Sequence, residues 1–374
     1  MDISDIINYR LSSQHIGNGL NTPEEVLNSM GAMQAQDYPA SLWAMGLRCK
    51  DGTTIKDIEN AIAKRKISRT WLMRGTLHFA TSSDIHWMLK LFAPRLLSTA
   101  MVRDRHLGLS DKVVEKTKTM FYNALKGGKH LTRKEMYKVL EKAGIKSNNG
   151  LGSNLGYHML YRAAWDGLIC FGPYEGREQT FVLLDEHITR RNELSQEQAN
   201  AELALRYFSS HGPATIKDYV WWSGLKVSDA RIGIEHMKSK LAEESIDGIT
   251  YYMPKHIPKL RSNDNSVHLL PAFDEYLVSY ADRSAMLSNP ELQRTLKNTI
   301  NDYKKPAIIY SNGIFVPVIV VNGEVVGTWS RKIVKDKVVV ALKHYVKLNK
   351  DNMKGIREEA ERYGRFLGMD AILK

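Results

Sequence analysis

Apolar residues recur at helical spacing in several stretches of the chain, and a capping signal opens many of them. The first signal, Thr22 to Glu25, places a threonine cap before a proline and predicts a helix through Met30. A second, Thr54 to Asp57, precedes apolar residues spaced three and four apart and predicts another helix. Two short runs, Ser68–Met73 and Leu77–Ala80, predict the strands of a hairpin around a tight turn. The predicted order is helix, helix, helix, hairpin.

The same order of elements begins again after a helix predicted over Asp111–Leu125. A capping box at Thr132 to Glu135 opens the next helix, and apolar spacing predicts a third from about Ser153 to Trp165. Short runs at Leu168–Phe171 and Thr180–Leu184 complete this copy as a hairpin. The second copy therefore repeats the plan of the first.

A third copy follows, and part of it repeats the first letter by letter. A helix is predicted over Gln196–Ser209, the string Thr-Ile-Lys-Asp recurs at Thr215 to Asp218, and another helix covers Ser228–Lys240. Strands flank Asp247-Gly248, a dipeptide typical of two-residue hairpin turns. Three helices followed by a hairpin is the winged-helix form of the helix-turn-helix, although generic helical subdomains give the same periodicity.

The pattern changes to short strands beyond Pro254. Asn322-Gly323 lies between two apolar runs and is a strong hairpin signal, because both residues tolerate the positive φ values of a two-residue turn. A helix of mixed charge over Asp351–Leu367 closes the chain. The sequence predicts a small β-barrel-like domain here. Its strands are predicted at Val267–Leu270, Ala307–Tyr310, Phe315–Val321, Glu324–Trp329 and Lys337–Leu342.

These patterns predict an α+β fold of four domains. Residues 1–110 are expected to form a winged helix with flanking helices, 111–193 a second winged helix and 194–256 a third. Residues 257–374 are expected to form the β-barrel-like domain with its C-terminal helix. A length of 374 residues with 43% apolar side chains is sufficient for such cores.

The number of cysteines and the hydropathy of the chain indicate the cellular compartment of the protein. Cys49 and Cys170 are too few for a disulfide framework or a thiolate metal cage. The charged N-terminal residues have no apolar signal region, and the best apolar run, Phe315–Val321, is shorter than the roughly 20 residues that span a membrane. We therefore expect a cytoplasmic protein with no membrane partner.

The charge of the chain favours an anionic partner. Its 53 Lys and Arg residues against 41 Asp and Glu residues give a formal charge of +12 at pH 7. Nucleic acid is the most frequent partner of such proteins, although ribosomal and lipid-surface proteins share the same balance. Charge alone therefore does not assign a function.

Cofactor-binding motifs are matched only weakly. The glycines at 150–156 have the wrong spacing for a dinucleotide fingerprint and are interpreted as a flexible helix entry. Lys126 to Lys129 lacks the remaining residues of a phosphate loop and is interpreted as a helix stop followed by a loop. The twelve His residues form no HExxH pair. No metal, nucleotide or other cofactor is predicted.

Gln34 and Gln36 are the candidate functional residues of the chain. Their string, Gln-Ala-Gln-Asp, follows a capped helix and precedes Pro39, which disfavours helical geometry in the residue before it. Side chains two residues apart project to one side of an extended segment, so two amides can face one cavity and position a water or a sugar. The alternative is a helix C-terminus, with Asp37 capping the next helix.

Five stretches of the chain taken together carry a resemblance to a known family. They are MQAQDYPASLWA (33–44), WLMRGTLHFA (71–80), HGPATIKDYVWWSGL (211–225), LLPAFDEYLVSYADR (269–283) and GEVVGTWSRK (323–332). In this order they resemble the AlkZ family of bacterial winged-helix DNA glycosylases, which includes a more distant YcaQ-like branch. The Gln-Ala-Gln string is similar to the Gln-aliphatic-Gln motif of the AlkZ branch, whereas the YcaQ branch has Gln-aliphatic-Asp.

The resemblance implies a monofunctional DNA glycosylase without a cofactor, acting in base-excision repair of alkylation damage. Its partner would be double-stranded DNA carrying alkylated bases, including bulky or crosslinked N7-alkylguanine. The resemblance also implies a monomer in which three tandem winged helices and a β-barrel form a C-shaped basic channel. We expect such a protein in the bacterial cytoplasm, associated with the nucleoid when bound to DNA.

The resemblance also assigns site residues. Gln34 and Gln36 become the catalytic pair by position in the family motif. The DNA-binding candidates lie on the first predicted wing and in the predicted barrel, and they are Arg69, Arg74, His78, Arg331 and Lys332. For His78, a strand residue that pairs across the hairpin is an equally good interpretation.

Glutamine cannot act as a general base, but an N7-alkylated guanine removes the need for one. This base already carries positive charge and leaves without protonation, while the sugar gains oxocarbenium character. Amide oxygens of Gln34 and Gln36 can hold the attacking water and stabilise the cationic sugar by their dipoles. Asp37 is either the base or the cap of the next helix, and we favour the cap.

Two other functions fit a basic chain of this kind. A non-catalytic DNA-binding protein, such as a transcription regulator, would use the same winged helices to grip a duplex, although no dimerisation helix is evident. An RNA scaffold would need an RNA-module signature, which the sequence lacks. The pair Trp221-Trp222 is interpreted as core of the third winged helix rather than as a base-stacking platform.

Overall fold

The computed structural model describes residues 2–142, 144–145, 155–176, 178–255, 266–297, 308 and 315–374. In these ranges the chain has a mixed α/β fold. The helices are α1 (Ile3–Ser13), α2 (Pro23–Met30), α3 (Tyr38–Leu47), α4 (Ile55–Ala63), α5 (Ile85–His106), α6 (Asp111–Leu125), α7 (Arg133–Lys142), α8 (Leu155–Trp165), α9 (Leu184–His187), α10 (Gln196–His211), α11 (Ile216–Ser223), α12 (Val227–Met237), α13 (Glu275–Val278), α14 (Pro290–Lys297) and α15 (Lys350–Leu367).

The strands range from two to eleven residues in length. They are β1 (Ala32–Gln34), β2 (Ile67–Trp71), β3 (Leu77–Thr81), β4 (Leu131–Thr132), β5 (Ile169–Glu175), β6 (Glu178–Leu183), β7 (Leu241–Ile246), β8 (Ile249–Pro254), β9 (Val267–Leu270), β10 (Val318–Val321), β11 (Glu324–Val334), β12 (Lys337–His344) and β13 (Asp370–Leu373). Most of the strand predicted at 307–310 lies outside the described residues, as do positions 150–154 of the predicted flexible helix entry.

Helix starts follow the capping signals in the sequence. The Thr22 hydroxyl accepts the Glu25 N–H at 3.1 Å, and a proline opens α2. At α11 the box is reciprocal, since the Asp218 carboxylate also accepts the Thr215 N–H at 2.9 Å. The predicted start of α2 is therefore confirmed, and the hydrogen bonds that fix both helix starts span only three residues.

The chain divides into two compact units. The first combines Met1–Asn60 with Asn200–Lys374, and the second is Ala61–Ala199. The division into three winged helices and a barrel stays a prediction.

A five-stranded sheet in the order β13-β12-β11-β10-β9 forms the β-rich part of the first unit. Its strands pair antiparallel except β12 and β13, which run parallel. The helix α15 packs against both edge strands, β9 and β13, so the sheet curls around one helix. This curled half-barrel fits the predicted β-rich domain. Asn322 and Gly323, with φ of 50° and 81°, form the predicted turn between β10 and β11.

The helices α11 and α12 and the hairpin β7–β8 follow the end of α10 in the first unit. Asp247 and Gly248 adopt φ of 49° and 77° in the turn, as the sequence predicted. This is the predicted order of the third copy, and its assignment as a winged helix stays a prediction.

The second unit packs helices against two hairpins, β2–β3 and β5–β6. Its core includes Trp71, Phe121, Leu160 and Phe181, all buried. The helix α6 ends at Leu125 before two glycines with positive φ, so the predicted helix stop is confirmed. The 22-residue helix α5 was not predicted.

Candidate functional site

Gln34 and Gln36 lie at the junction between β1 and α3. The strand ends at Gln34, a short turn follows, and the helix begins at Tyr38. Asp37 caps α3, since its Oδ1 accepts the Ala40 N–H at 3.0 Å. The cap that the sequence favoured for Asp37 is therefore confirmed.

The two glutamines differ in exposure. Gln34 is 8% exposed and ends the strand, whereas Gln36 lies in the turn and is exposed. The backbone at Gln34 is extended, as the sequence predicted. Solvent and substrate therefore have access to Gln36 first, and the catalytic role of the pair stays a prediction.

A buried carboxylate, Glu275, holds the backbone of Gln34. The Gln34 N–H donates to Glu275 Oε1 at 2.6 Å, although the two residues are 241 positions apart. Glu275 Oε2 accepts the Trp222 Nε1–H at 3.1 Å and the Ser279 hydroxyl hydrogen. Glu275 is 1% exposed, so these neutral donors replace water around its carboxylate.

Glu275 is an anion in this site. Burial acts to raise the pKa of Glu275, but the nearby His211 imidazole and hydrogen bonds from Ser279 and the Gln34 N–H outweigh burial and lower the pKa to about 2. His211 Nε2 lies 3.7 Å from Glu275 Oε2. Burial lowers the pKa of His211, and Glu275 opposes this shift. His211 and the N–H and O–H donors together favour the anionic form of Glu275.

The neighbouring cation is neutralised by a different carboxylate. Arg48 is fully buried, and its two terminal nitrogens donate to the two Asp274 oxygens at 2.8 Å each. The first of these nitrogens also donates to the Ala44 carbonyl at 3.0 Å, and the second to Gln14 Oε1 at 2.8 Å. Arg48 and Asp274 therefore form a buried bidentate ion pair, and Arg48 also interacts electrostatically with Glu275.

The two adjacent tryptophans have different environments. Trp222 is fully buried against the Glu275 carboxylate, so its interpretation as core is confirmed. Trp221 is 47% exposed, and its Nε1–H donates to the Val278 carbonyl at 3.0 Å, so the core interpretation is wrong for this residue. Neighbouring positions on a helix point in directions about 100° apart, so both rings cannot face one core.

Arg331 packs on α15 rather than pointing freely into solvent. Its guanidinium donates to the Tyr363 hydroxyl and lies over that ring. The Tyr363 ring meets Trp43 of α3 edge-on, with centroids 5.0 Å apart. Burial raises the pKa of Tyr363, Arg331 opposes this shift, and the Asp37 carboxylate adds to it. Arg331 and Asp37 therefore act on one hydroxyl, which brings Arg331 near the turn that carries Gln36.

Lys332 follows Arg331 on β11 and points to the opposite face. Across the sheet Arg331 pairs with Val340, which is buried, and Lys332 pairs with Val339. The Lys332 side chain is exposed. Adjacent strand residues alternate between faces, so the two cations cannot line one surface, and contact of either with DNA stays a prediction.

The other three DNA-binding candidates lie in the second unit. Arg69 and His78 are buried strand residues, at 6% and 0% exposure, and His78 pairs with Thr70 across the hairpin. The guanidinium of Arg69 lies over the Phe171 ring at 4.9 Å. Arg74, in the turn, is half-buried and has a φ of 55°. A phosphate contact needs an accessible cation, so Arg74 is the stronger candidate of the three.

The sequence did not single out Glu275, Asp274, Arg48 or His211. The signal that indicates Glu275 is the acidic pair Asp274-Glu275 inside the otherwise apolar stretch 269–278. Acidic residues are seldom fully buried without partners, so such a pair in an apolar run indicates a polar network. Its partners could not be identified, because they come from distant parts of the chain.

Three further properties of the chain concern metal binding, thiol reactivity and membrane insertion. Within the described ranges, no three or more His, Cys, Asp or Glu side chains are grouped to hold a metal ion. Burial raises the pKa of Cys49 and of Cys170 to about 12, so neither thiol is a ready nucleophile. In the part of the chain that the structure describes, no helix has the length and apolarity to cross a bilayer.

Comparison with known proteins gives consistent matches over most of the chain. The family model "DNA glycosylase AlkZ-like" matches residues 27–366. An interstrand DNA cross-link repair glycosylase of Streptomyces sahachiroi is 24% identical over 358 residues, which cover 93% of this chain and 91% of that protein. The solved structure of Streptomyces sahachiroi DNA glycosylase AlkZ has the same fold, with a TM-score of 0.78 at 22% identity over the whole of both chains. The chain therefore belongs to the AlkZ-like family of DNA glycosylases.

Proposed function

We propose that this protein hydrolyses the N-glycosidic bond of N7-alkylated purines in DNA, with Gln34 and Gln36 as its catalytic pair. The observation that carries the proposal is the fixed turn between β1 and α3. Glu275 holds the turn at Gln34, and Asp37 holds it at the start of α3. A turn fixed at both ends keeps an exposed amide in one place, which positional catalysis requires.

Bulky and crosslinked adducts are included among the substrates that we propose. The Streptomyces relative is named for repair of interstrand DNA cross-links. Gln36 is exposed rather than enclosed in a deep pocket, and this supports a site that a large adduct can approach. Such adducts do not fit the narrow pockets into which most glycosylases extrude a base.

The reaction needs little proton transfer. The C1′–N9 bond breaks, and its electron pair neutralises the positive charge of the alkylated purine. A water oxygen then bonds to C1′, and its proton passes to bulk solvent. The sugar is most cationic between these events, when amide oxygens of the glutamine pair stabilise it and orient the water.

The test is single-turnover release of N7-methylguanine from a defined duplex by wild type, Gln34→Ala and Gln36→Ala. We expect each variant to lose release by about 100-fold, the usual effect of removing one preorganised dipole. DNA affinity, measured in parallel, should change little. Gln198→Ala, at an exposed position of α10, is the matched control and should retain release.

Two outcomes would overturn the proposal. Normal release by Gln36→Ala would remove the pair from the chemistry. Absence of release by wild type, from both a methylated and a crosslinked duplex, would leave a DNA-binding protein. Sequence-selective duplex binding at controlled salt would then favour a transcription regulator.

A further inference from the structure

We infer that Glu275 is a positioning residue of the catalytic turn, and that its buried charge biases the site toward a cationic sugar. The inference rests on the proposed function and adds a residue to its machinery. Glu275 acts through Gln34 and need not touch the DNA.

The positional part follows from hydrogen bonding. Glu275 Oε1 accepts the Gln34 N–H at 2.6 Å, a short bond of the charge-assisted kind. Trp222 and Ser279 fix the other oxygen from α11 and from the residue after α13. Trp222 from a distant element and Ser279, four residues along the chain, therefore fix one carboxylate, and that carboxylate fixes the first residue of the Gln-Ala-Gln string.

The electrostatic part follows from comparison with other buried carboxylates. Asp274 is paired with Arg48 at 2.8 Å, Asp218 lies 3.9 Å from Arg10, and Asp104 is paired with Arg162 at 2.6 Å. Glu275 differs because its nearest basic side chain is a histidine, His211, at 3.7 Å, and its hydrogen-bond donors are a peptide, an indole and a hydroxyl.

The charged groups packed around Glu275 leave its negative charge in place. His211 is the nearest titratable side chain, and burial lowers its pKa while Glu275 opposes this shift. Arg48 is bonded to Asp274 and also interacts electrostatically with Glu275. In an interior of low dielectric constant, a buried anion stabilises a cation beyond contact distance more strongly than it does in water. A cationic sugar next to Gln34 would gain from this field, whereas a neutral ground state would not.

The experiment compares binding of two abasic-site analogues by wild type and Glu275→Gln. One duplex carries a pyrrolidine, which is cationic like the transition state, and the other carries a neutral tetrahydrofuran. We expect wild type to prefer the cationic duplex by about tenfold, and Glu275→Gln to lose most of this preference. The affinity of the variant for the neutral duplex should stay close to that of wild type. Single-turnover release of N7-methylguanine should fall by about 100-fold.

Glu359→Gln is the matched control. Glu359 is a largely buried carboxylate, with a side chain 13% exposed, next to a histidine, His268, in the first unit, but it pairs with Arg362 at 3.4 Å. This variant should keep both the cationic preference and the rate. If Glu275→Gln keeps them as well, the inference is overturned while the proposed function stands.

The outcomes separate the inference from the function on which it rests. Absence of release by wild type contradicts the proposed function, whereas normal release by Glu275→Gln contradicts only the role of Glu275. If Glu275→Gln does not fold, Ser279→Ala decides the question, because it removes one donor and leaves the charge. The folded Ser279→Ala variant should retain the preference for the pyrrolidine duplex, and loss of that preference would overturn the electrostatic role.

Discussion

At the scale of single residues, Arg48 and Asp274 form an ion pair whose loss we expect to be costly. Both side chains are at most 1% exposed, and two bonds of 2.8 Å join them. Asp274→Asn leaves the guanidinium buried beside a neutral amide, so the free energy of unfolding should fall by about 3–5 kcal/mol. Urea denaturation of the variant and wild type measures the change.

An exposed aspartate provides the control for that prediction. Asp185 is 69% exposed and faces Arg191 at 3.4 Å. Solvent screens this pair, so Asp185→Asn should change the free energy of unfolding much less than Asp274→Asn. Equal losses in the two variants would contradict the assignment of Arg48 and Asp274 as a buried structural pair.

The structural role of a residue could be predicted from sequence where its partners are close along the chain, and not where they come from distant segments. Asp37 was expected to cap a helix, and it does, because the bond reaches only three residues along the chain. Trp221 and Trp222 were expected to share one core, yet only Trp222 is buried. The helical pattern gives their relative direction, but which direction faces the interior depends on segments far along the chain.

At the scale of elements, substitutions at the N-cap of α3 distinguish the two roles that the sequence left open for Asp37. Asn is as good an N-cap as Asp but cannot accept a proton as a general base. We therefore expect Asp37→Asn to retain glycosylase activity and stability. Asp37→Ala should lose about 1 kcal/mol of stability through the missing cap.

Thermal unfolding and single-turnover release measure the two effects of these Asp37 variants. If Asp37 were the base, Asp37→Asn would lose about 100-fold or more in rate while remaining folded. That result would replace the cap interpretation by a catalytic one.

Most individual elements followed from the sequence, and the exceptions have identifiable causes. The predicted range Asp111–Leu125 is that of α6, and the hairpin turns at Asp247-Gly248 and Asn322-Gly323 are present. The strand β13 was not predicted. It follows α15 in the sequence and pairs parallel to β12. A run of four residues is too short to show a clear hydrophobic period.

At the scale of the whole molecule, the charge of +12 predicts binding to DNA that depends strongly on salt. Lys332 is exposed on β11, so its ammonium group is accessible to a phosphate. We expect Lys332→Ala to weaken binding to all sequences equally and to reduce the slope of log affinity against log salt by about one. Titration of labelled duplexes at several salt concentrations measures the slope.

Lys238→Ala is the control for this salt measurement. Lys238 is equally accessible, and its nearest acid, Glu235, lies 3.7 Å away on α12. We expect an unchanged slope for this variant. An unchanged slope for Lys332→Ala would remove that residue from the DNA interface.

Sequence alone was sufficient to predict the local elements, the basic charge and, through five motifs, the family. These properties depend on backbone preferences and hydrogen bonds over three or four residues, and on composition, all of which one chain displays directly. The folded structure was needed to show that Glu275 holds Gln34, that Arg331 bonds Tyr363, and that His78 is buried. The Glu275–Gln34 contact joins residues 241 positions apart, and no local rule selects one distant partner among many acids. The fold selects it, because burying a carboxylate is stable only where donors from several elements meet.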